Sequence, residues 1–198
     1  STPRRGEAIE QLLARFRSNP NVRAAGFARH GLLIGEELYL GTFVPPGKTL
    51  AEVEKDRGVR TRSVSDGFLT AMGVPILQGR DLAPTDSGAA PGAIVINRSA
   101  ARRYFGNANP IGRPIEWVFG KTHSTMTVVG VAEDVRQEAA TDPLVPEIFV
   151  DYRQFLAFNV NELPARHNEF AIGFLSFAVR TDGDPSALVP AVRESVGA

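Results

Sequence analysis

The stretch GTFVPPGKT, residues 41–49, holds a glycine followed by Gly-Lys-Thr, the residue types that cradle a nucleotide phosphate. The spacing defeats that chemistry. A loop of this kind needs four residues between its first glycine and Gly-Lys, so that successive backbone amides wrap the phosphates. Here five separate Gly41 from Gly47, and two of them, Pro45 and Pro46, have no N–H to donate. The residues that should open a helix, 51–57, are charged and weakly patterned. The stretch reads as a proline-stiffened loop between strands, with Lys48 solvated.

Other chemistries find no better support. His30, His123 and His167 are scattered, with no ligand partner at short spacing. Asp81, Asp86, Glu133 and Asp134 offer hard oxygens, but their spacing matches no calcium loop. Cysteine is absent, which removes disulfides, thiolate metal sites and cysteine nucleophiles. There is no Gly-x-Ser-x-Gly elbow, and Ser63 and Ser65 have no evident base. Asn97-Arg98-Ser99 fits a glycosylation acceptor, yet Asn97 is better used as a helix cap. No catalytic residue, metal or cofactor is expected.

Lys plus Arg and Asp plus Glu both total 22, so the formal charge is zero, and the short basic clusters at Arg4-Arg5, Arg60 to Arg62 and Arg102-Arg103 form no stripe. Nucleic acid is therefore not an expected partner. The 198 residues are 43% apolar with twelve phenylalanines, enough for one ordered domain or two small lobes. No run of 18 apolar residues spans a bilayer. The chain begins Ser-Thr-Pro and stops within a helical pattern at Val196-Gly197-Ala198, as expected of a piece of a longer protein.

The elements that would position any site follow from periodicity. Thr2-Pro3 starts a helix whose Ile9, Leu12, Leu13 and Phe16 share one face. Strands are expected over 22–28, 37–44 and 58–64. Ser65 then caps a short helix ended by Gly73, and an extended run leads to a turn-rich loop. Ala93 to Ile96, capped helix and Gly106 repeat the same strand-cap-helix-glycine device, which points to βα units on one sheet. Residues 111–119 and 124–134 are two more strands, 146–152 a shorter one and 172–180 another. Asp184 and Pro185 open a last helix that Pro190 kinks or shortens. Residues 153–170 lack periodicity and read as a small irregular insert. The fold class is α+β, a mixed sheet with βα units and that inserted loop or lobe. Tyr104, Phe105, Trp117, Phe119 and Phe149 read as core; Phe155, Phe158 and Phe170, in the insert, are candidate groove or partner contacts.

Four stretches together resemble a known family: SVSDGFLTAMGVPILQGRDL (63–82), AIVINRSAARRYFGNANPIGRPI (93–115), MTVVGVAEDVR (126–136) and PEIFVDYRQ (146–154). They look like the extracytoplasmic core domain of macrolide-exporter-type ABC transporter permeases, particularly the duplicated permeases of acidobacteria. NPNVRAAGFA and FAVRTDGDPSALVPAVRESV resemble the opening and closing segments, so the resemblance covers most of the chain and implies one core domain, of one or two lobes, over 1–198.

The resemblance implies a non-catalytic domain outside the cytoplasmic membrane, between two transmembrane helices of the same permease. An ATPase domain or subunit would work across the membrane, with a periplasmic adaptor or a second permease domain as further partner. Gly73, Gly79, Asp81, Asn97, Gly106, Pro110, Gly112 and Gly130 fall in the matched pieces with scaffold roles. Gly73 and Gly106 suit positive φ at helix ends, Pro110 stiffens the approach to Gly112, and Gly130 permits close strand packing. Two features depart from the family: Pro190 in the closing helix, and an insert shorter than the macrolide exporter's additional lobe. The alternative readings are a membrane-tethered ligand-binding or sensory domain, which requires an apolar pocket with convergent polar groups, and a hydrolase with a spatially assembled site.

Overall fold

The computed structural model describes residues 2–29, 41–55, 59–88, 90–136, 143–159, 175–190 and 192–193, with backbone alone at 2–5, 158 and 159. In chain order the elements are α1 (Thr2–Ser18), β1 (Val22–Arg29), β2 (Thr42–Val44), α2 (Leu50–Glu54), β3 (Arg60–Val64), α3 (Phe68–Met72), β4 (Ile76–Gly79) and β5 (Gly92–Asn97). They continue with α4 (Arg98–Phe105), β6 (Pro114–Phe119), β7 (Thr122–Ala132), β8 (Glu147–Asp151), α5 (Tyr152–Asn159), β9 (Leu175–Thr181) and a 3-10 turn (Pro185–Leu188).

One mixed sheet runs β2-β6-β7-β5-β8-β3-β1-β9, with β4 added along the far half of β7. The pairs β5–β7 and β3–β8 are parallel, and the others antiparallel. Strand β5 is buried throughout, as a strand covered on both faces must be. Its side chains alternate. Ile94 and Ile96 pack with Val128, Ile148, Val150, Trp117 and Ala100 on one face, under α4 and α5. Val95 joins Phe149, Val64, Phe68 and Leu69 on the other, under α3. Helix α1 covers β1 through Leu13, Phe16, Ala25 and Phe27.

Local chemistry explains most boundaries. Asn97 Oδ1 accepts from Ala100 N at 2.8 Å to cap α4, and Gly73 ends α3 at φ 71°. Asp184 caps the closing turn through Ser186 N at 2.9 Å, and Pro185 stands at its first position.

Several expectations need correction. Residues 50–54 do form a helix, because Thr49 and Glu52 make a reciprocal capping box that weak apolar patterning concealed. Ser65 is not the cap of α3. Gly67 holds that position at φ 73°, and the Ser65 hydroxyl turns inward to accept from Phe27 N at 3.0 Å. The strand expected over 37–44 is described only at Thr42–Val44; residues 37–40 lie outside the described residues. The stretch 153–170 opens in order rather than irregularly, since its first residues belong to α5.

Between β4 and β5, the loop is closed by Asp86. Its carboxylate takes both Arg80 terminal nitrogens at 2.6 and 2.8 Å and Ala83 N at 2.9 Å. Burial pushes the Asp86 carboxyl up, but Arg80 and the Ala83 amide outweigh this and hold it below its ordinary value of 3.8. A depressed carboxyl contributes stability above its unfolded pKa and loses it as pH falls through the folded value. Asp86→Asn is therefore expected to lower the urea midpoint by more at pH 7 than at about pH 3, which lies below the ordinary value of 3.8. Equal differences at both pH values would mean that the ion pair is not the source.

Candidate functional site: a polar junction beneath helix α1

The most connected polar cluster lies where α1 crosses the sheet. Its centre is the turn Ser65-Asp66-Gly67 after β3. The Ser65 hydroxyl donates to Asp66 O at 2.9 Å, which sets the turn. Gly67 leaves room for a guanidinium: a Cβ there would sit 3.1 Å from an Arg17 terminal nitrogen and 3.0 Å from Ala25 O. Arg17, in the last turn of α1, donates to Ala25 O through Nε (3.1 Å) and Nη2 (3.0 Å), and to Asp66 O at 2.7 Å. Its Nη2 also meets the Asp66 carboxylate at 2.9 Å.

Arg153 completes the cluster from α5. It grips the fully buried Asp151 with Nε and Nη2 at 2.9 and 2.8 Å, and its backbone N–H donates to the same carboxylate. It also lies 3.5 Å from Asp66 and 4.0 Å from Glu10 of α1. Tyr152 donates its hydroxyl to Glu10 and packs its ring on Phe27 at 4.9 Å. Carboxylates from α1, the β3–α3 turn and β8 thus converge on one guanidinium.

The electrostatics follow. Hydrogen bonding to Asp151 raises the Arg153 pKa, so that side chain stays charged. Burial pushes the Asp151 carboxyl up, and Arg153 offsets only part of this. Burial and then Glu10 raise the Tyr152 phenol, which stays a donor. Fixed charges of this kind hold elements together. Tyr152, whose hydroxyl sits on Glu10, is thus held protonated rather than activated, and no group of three or more metal-ligating side chains occurs among the described residues.

The fold matches a family model. Residues 41–197 match the MacB-like periplasmic core domain. The chain belongs to that family. MacB-like core domains are extracytoplasmic parts of bacterial ABC-transporter permeases, and this one is not an enzyme. The periplasmic region of MacB from Actinobacillus actinomycetemcomitans is similar in structure, with a TM-score of 0.60 at 17% identity over 95% of this chain and 72% of that one. The extracellular domain of the noncanonic ABC-type transporter YknZ from Gram-positive bacteria has a TM-score of 0.52 at 14% identity, covering 92% and 76%. No curated protein sequence matches at a significant level. No helix among the described residues is long and apolar enough to cross a membrane.

The sequence-derived site residues that the structure describes make none of the junction's hydrogen bonds or ion pairs. Phe155 is a core residue rather than a groove contact: it is 1% exposed, 6.0 Å from Trp117 and 6.5 Å from Phe119 between ring centroids. Phe158 lies in α5, and Phe170 is outside the described residues. Asp81 accepts from Leu82 N at 2.7 Å and Thr70 Oγ1 at 3.3 Å, tying the loop to α3. Asn97 reaches β8 as well, donating to Val145 O and accepting from Glu147 N. Gly79, Gly106 and Gly112 all have positive φ. Pro110 O accepts from Arg113 N, and Gly112 N donates to Val128 O. Gly130 faces the backbone of Arg80. His123 pairs with Glu116 at 2.7 Å on an exposed face; His30 and His167 lie outside the described residues.

Glu10, Arg17, Asp66, Asp151, Tyr152 and Arg153 escaped the sequence reading. Glu10 and Arg17 flank Leu13 on one stripe of α1 at helical spacing, a polar edge to a buried face, and that was the available signal.

Proposed function

We propose that this domain is the transmission element of an ABC-type permease, passing motion driven by ATP hydrolysis across the membrane into export or mechanotransmission. The MacB-like core over 41–197 is the observation that carries this reading. The junction supplies mechanical means, because α1 is bolted to the sheet by Arg17 and Asp66 instead of resting on apolar contact alone. The partners are the flanking transmembrane helices of the same permease, an ATPase domain or subunit, and a periplasmic adaptor or second permease domain. Within the family we place the chain with the duplicated permeases of acidobacteria, on the strength of the four sequence stretches.

The chain has no cysteine, so Lys121→Cys at the exposed β6–β7 turn is a unique handle on the domain. In spheroplasts carrying the full-length permease, freed of cysteines elsewhere, a membrane-impermeant maleimide is expected to label it without lysis. Labelling only after lysis overturns the location. In the purified permease, hydrogen exchange of the domain is expected to differ between nucleotide-free and ATP-bound states. Identical exchange in every segment overturns transmission.

A further inference from the structure

Helix α1 is held unevenly along its length. From Leu13 to Arg17 it is fixed twice over. Leu13 and Phe16 are buried at 0% and 6% exposure, and the Phe16 ring meets Phe177 of β9 edge-on at 5.7 Å. Arg17 adds its bonds to Ala25 and Asp66. From Gly6 to Gln11 no side chain is fully buried. Ile9 packs partly, and Glu10 supplies the polar hold through the Tyr152 hydroxyl and, at 4.0 Å, Arg153.

The Glu10 contact opens without stranding a buried charge. Its own side chain is 41% exposed, so water receives the carboxylate. Arg153 keeps its two-pronged bond to Asp151 and its neighbour Asp66. Tyr152 keeps its packing on Phe27. Releasing Arg17 is different, since Asp66 has a side chain only 9% exposed and would lose its closest cation.

We propose that α1 is a hinged lever, with Leu13 to Arg17 as the pivot and Glu10, seated on Tyr152 and Arg153, as a catch that opens while the pivot stays shut. The proposal rests on the transmission reading for what drives the lever, but the uneven hold is a property of the domain itself. Glu10 is a positioning residue in this scheme.

The test is hydrogen exchange on the 198-residue chain without nucleotide, independent of the permease experiment above. In Glu10→Ala, amides of residues 6–11 are expected to exchange about tenfold faster, the loss of one charge-assisted hydrogen bond. Residues 13–18 and strands β5 and β7 are expected to keep their rates. Glu10→Gln, which retains an acceptor for Tyr152, is expected to recover most of the protection. Acceleration spread evenly over 6–18, acceleration reaching β5 and β7, no acceleration, or no recovery in the glutamine variant each overturns the proposal.

Discussion

Gly130→Ala is expected to destabilise the domain by about 3 kcal/mol, at the upper end of overpacking costs. Gly130 lies in β7 between two neighbours, opposite Val95 of β5 on one side and Gly79 of β4 on the other. A Cβ at this position would stand 2.0 Å from Arg80 O and 3.0 Å from Arg80 C. Those are backbone atoms, and they are not free to retreat. Arg80 N donates to Val129 O at 2.9 Å, and the Arg80 side chain is tied to Asp86. Accommodating one methyl group therefore means lifting β4 from the sheet. Urea unfolding followed by fluorescence of Trp117 reads the change directly. A loss below about 1 kcal/mol would show that β4 yields easily and that the close approach is not structural.

Phe155→Ala is expected to cost about 3–5 kcal/mol, as for other fully buried phenylalanines. The ring fills the space between Trp117 and Phe119 and carries the Arg29 guanidinium 4.6 Å above its centre. Arg29 is itself buried, and desolvation lowers its pKa to about 10. Truncating Phe155 removes the aromatic face from that cation as well as opening a cavity. Phe155→Leu, which keeps much of the volume, is expected to cost clearly less than the alanine variant. If Phe155→Ala left the unfolding midpoint unchanged while weakening a partner's binding, the groove-contact role suggested by its aperiodic surroundings would be restored.

These two substitutions probe the frame, while the junction under α1 ties that helix to it. Gln154, next to Arg153, is fully buried: its Oε1 accepts from Ala93 N, and its Nε2 donates to Asp86 O and Ala93 O. With Phe155 in the core, the first turn of α5 is thus fixed to β5 and to the preceding loop. Arg153 is consequently a rigid seat for Glu10. Helix α1 is thus tied to the rest of the domain at Asp66 and at this seat.

What could be read from residue order is what depends on neighbours a few positions away. The missing amides of Pro45 and Pro46 dispose of a phosphate site without any structure. Strand-cap-helix-glycine at 93–106 follows from Asn97 and Gly106, because a cap bonds three residues along its own chain. The cap of Thr49 and Glu52 is just as local, but it passed unread because weak apolar patterning hid the helix they start. Four matched stretches in the right order were enough to point to the family. Strand partners lie beyond that range. Thr61 pairs with Ile148 and Val95 with Gly130, and only the order of the sheet decides which faces are buried. The tertiary structure therefore put Phe155 inside, turned Ser65 from a cap into a brace, and brought Arg17, Asp66 and Arg153 together from three distant segments. Charge pairing acts through space, and nothing in the spacing of those residues along the chain encodes their meeting.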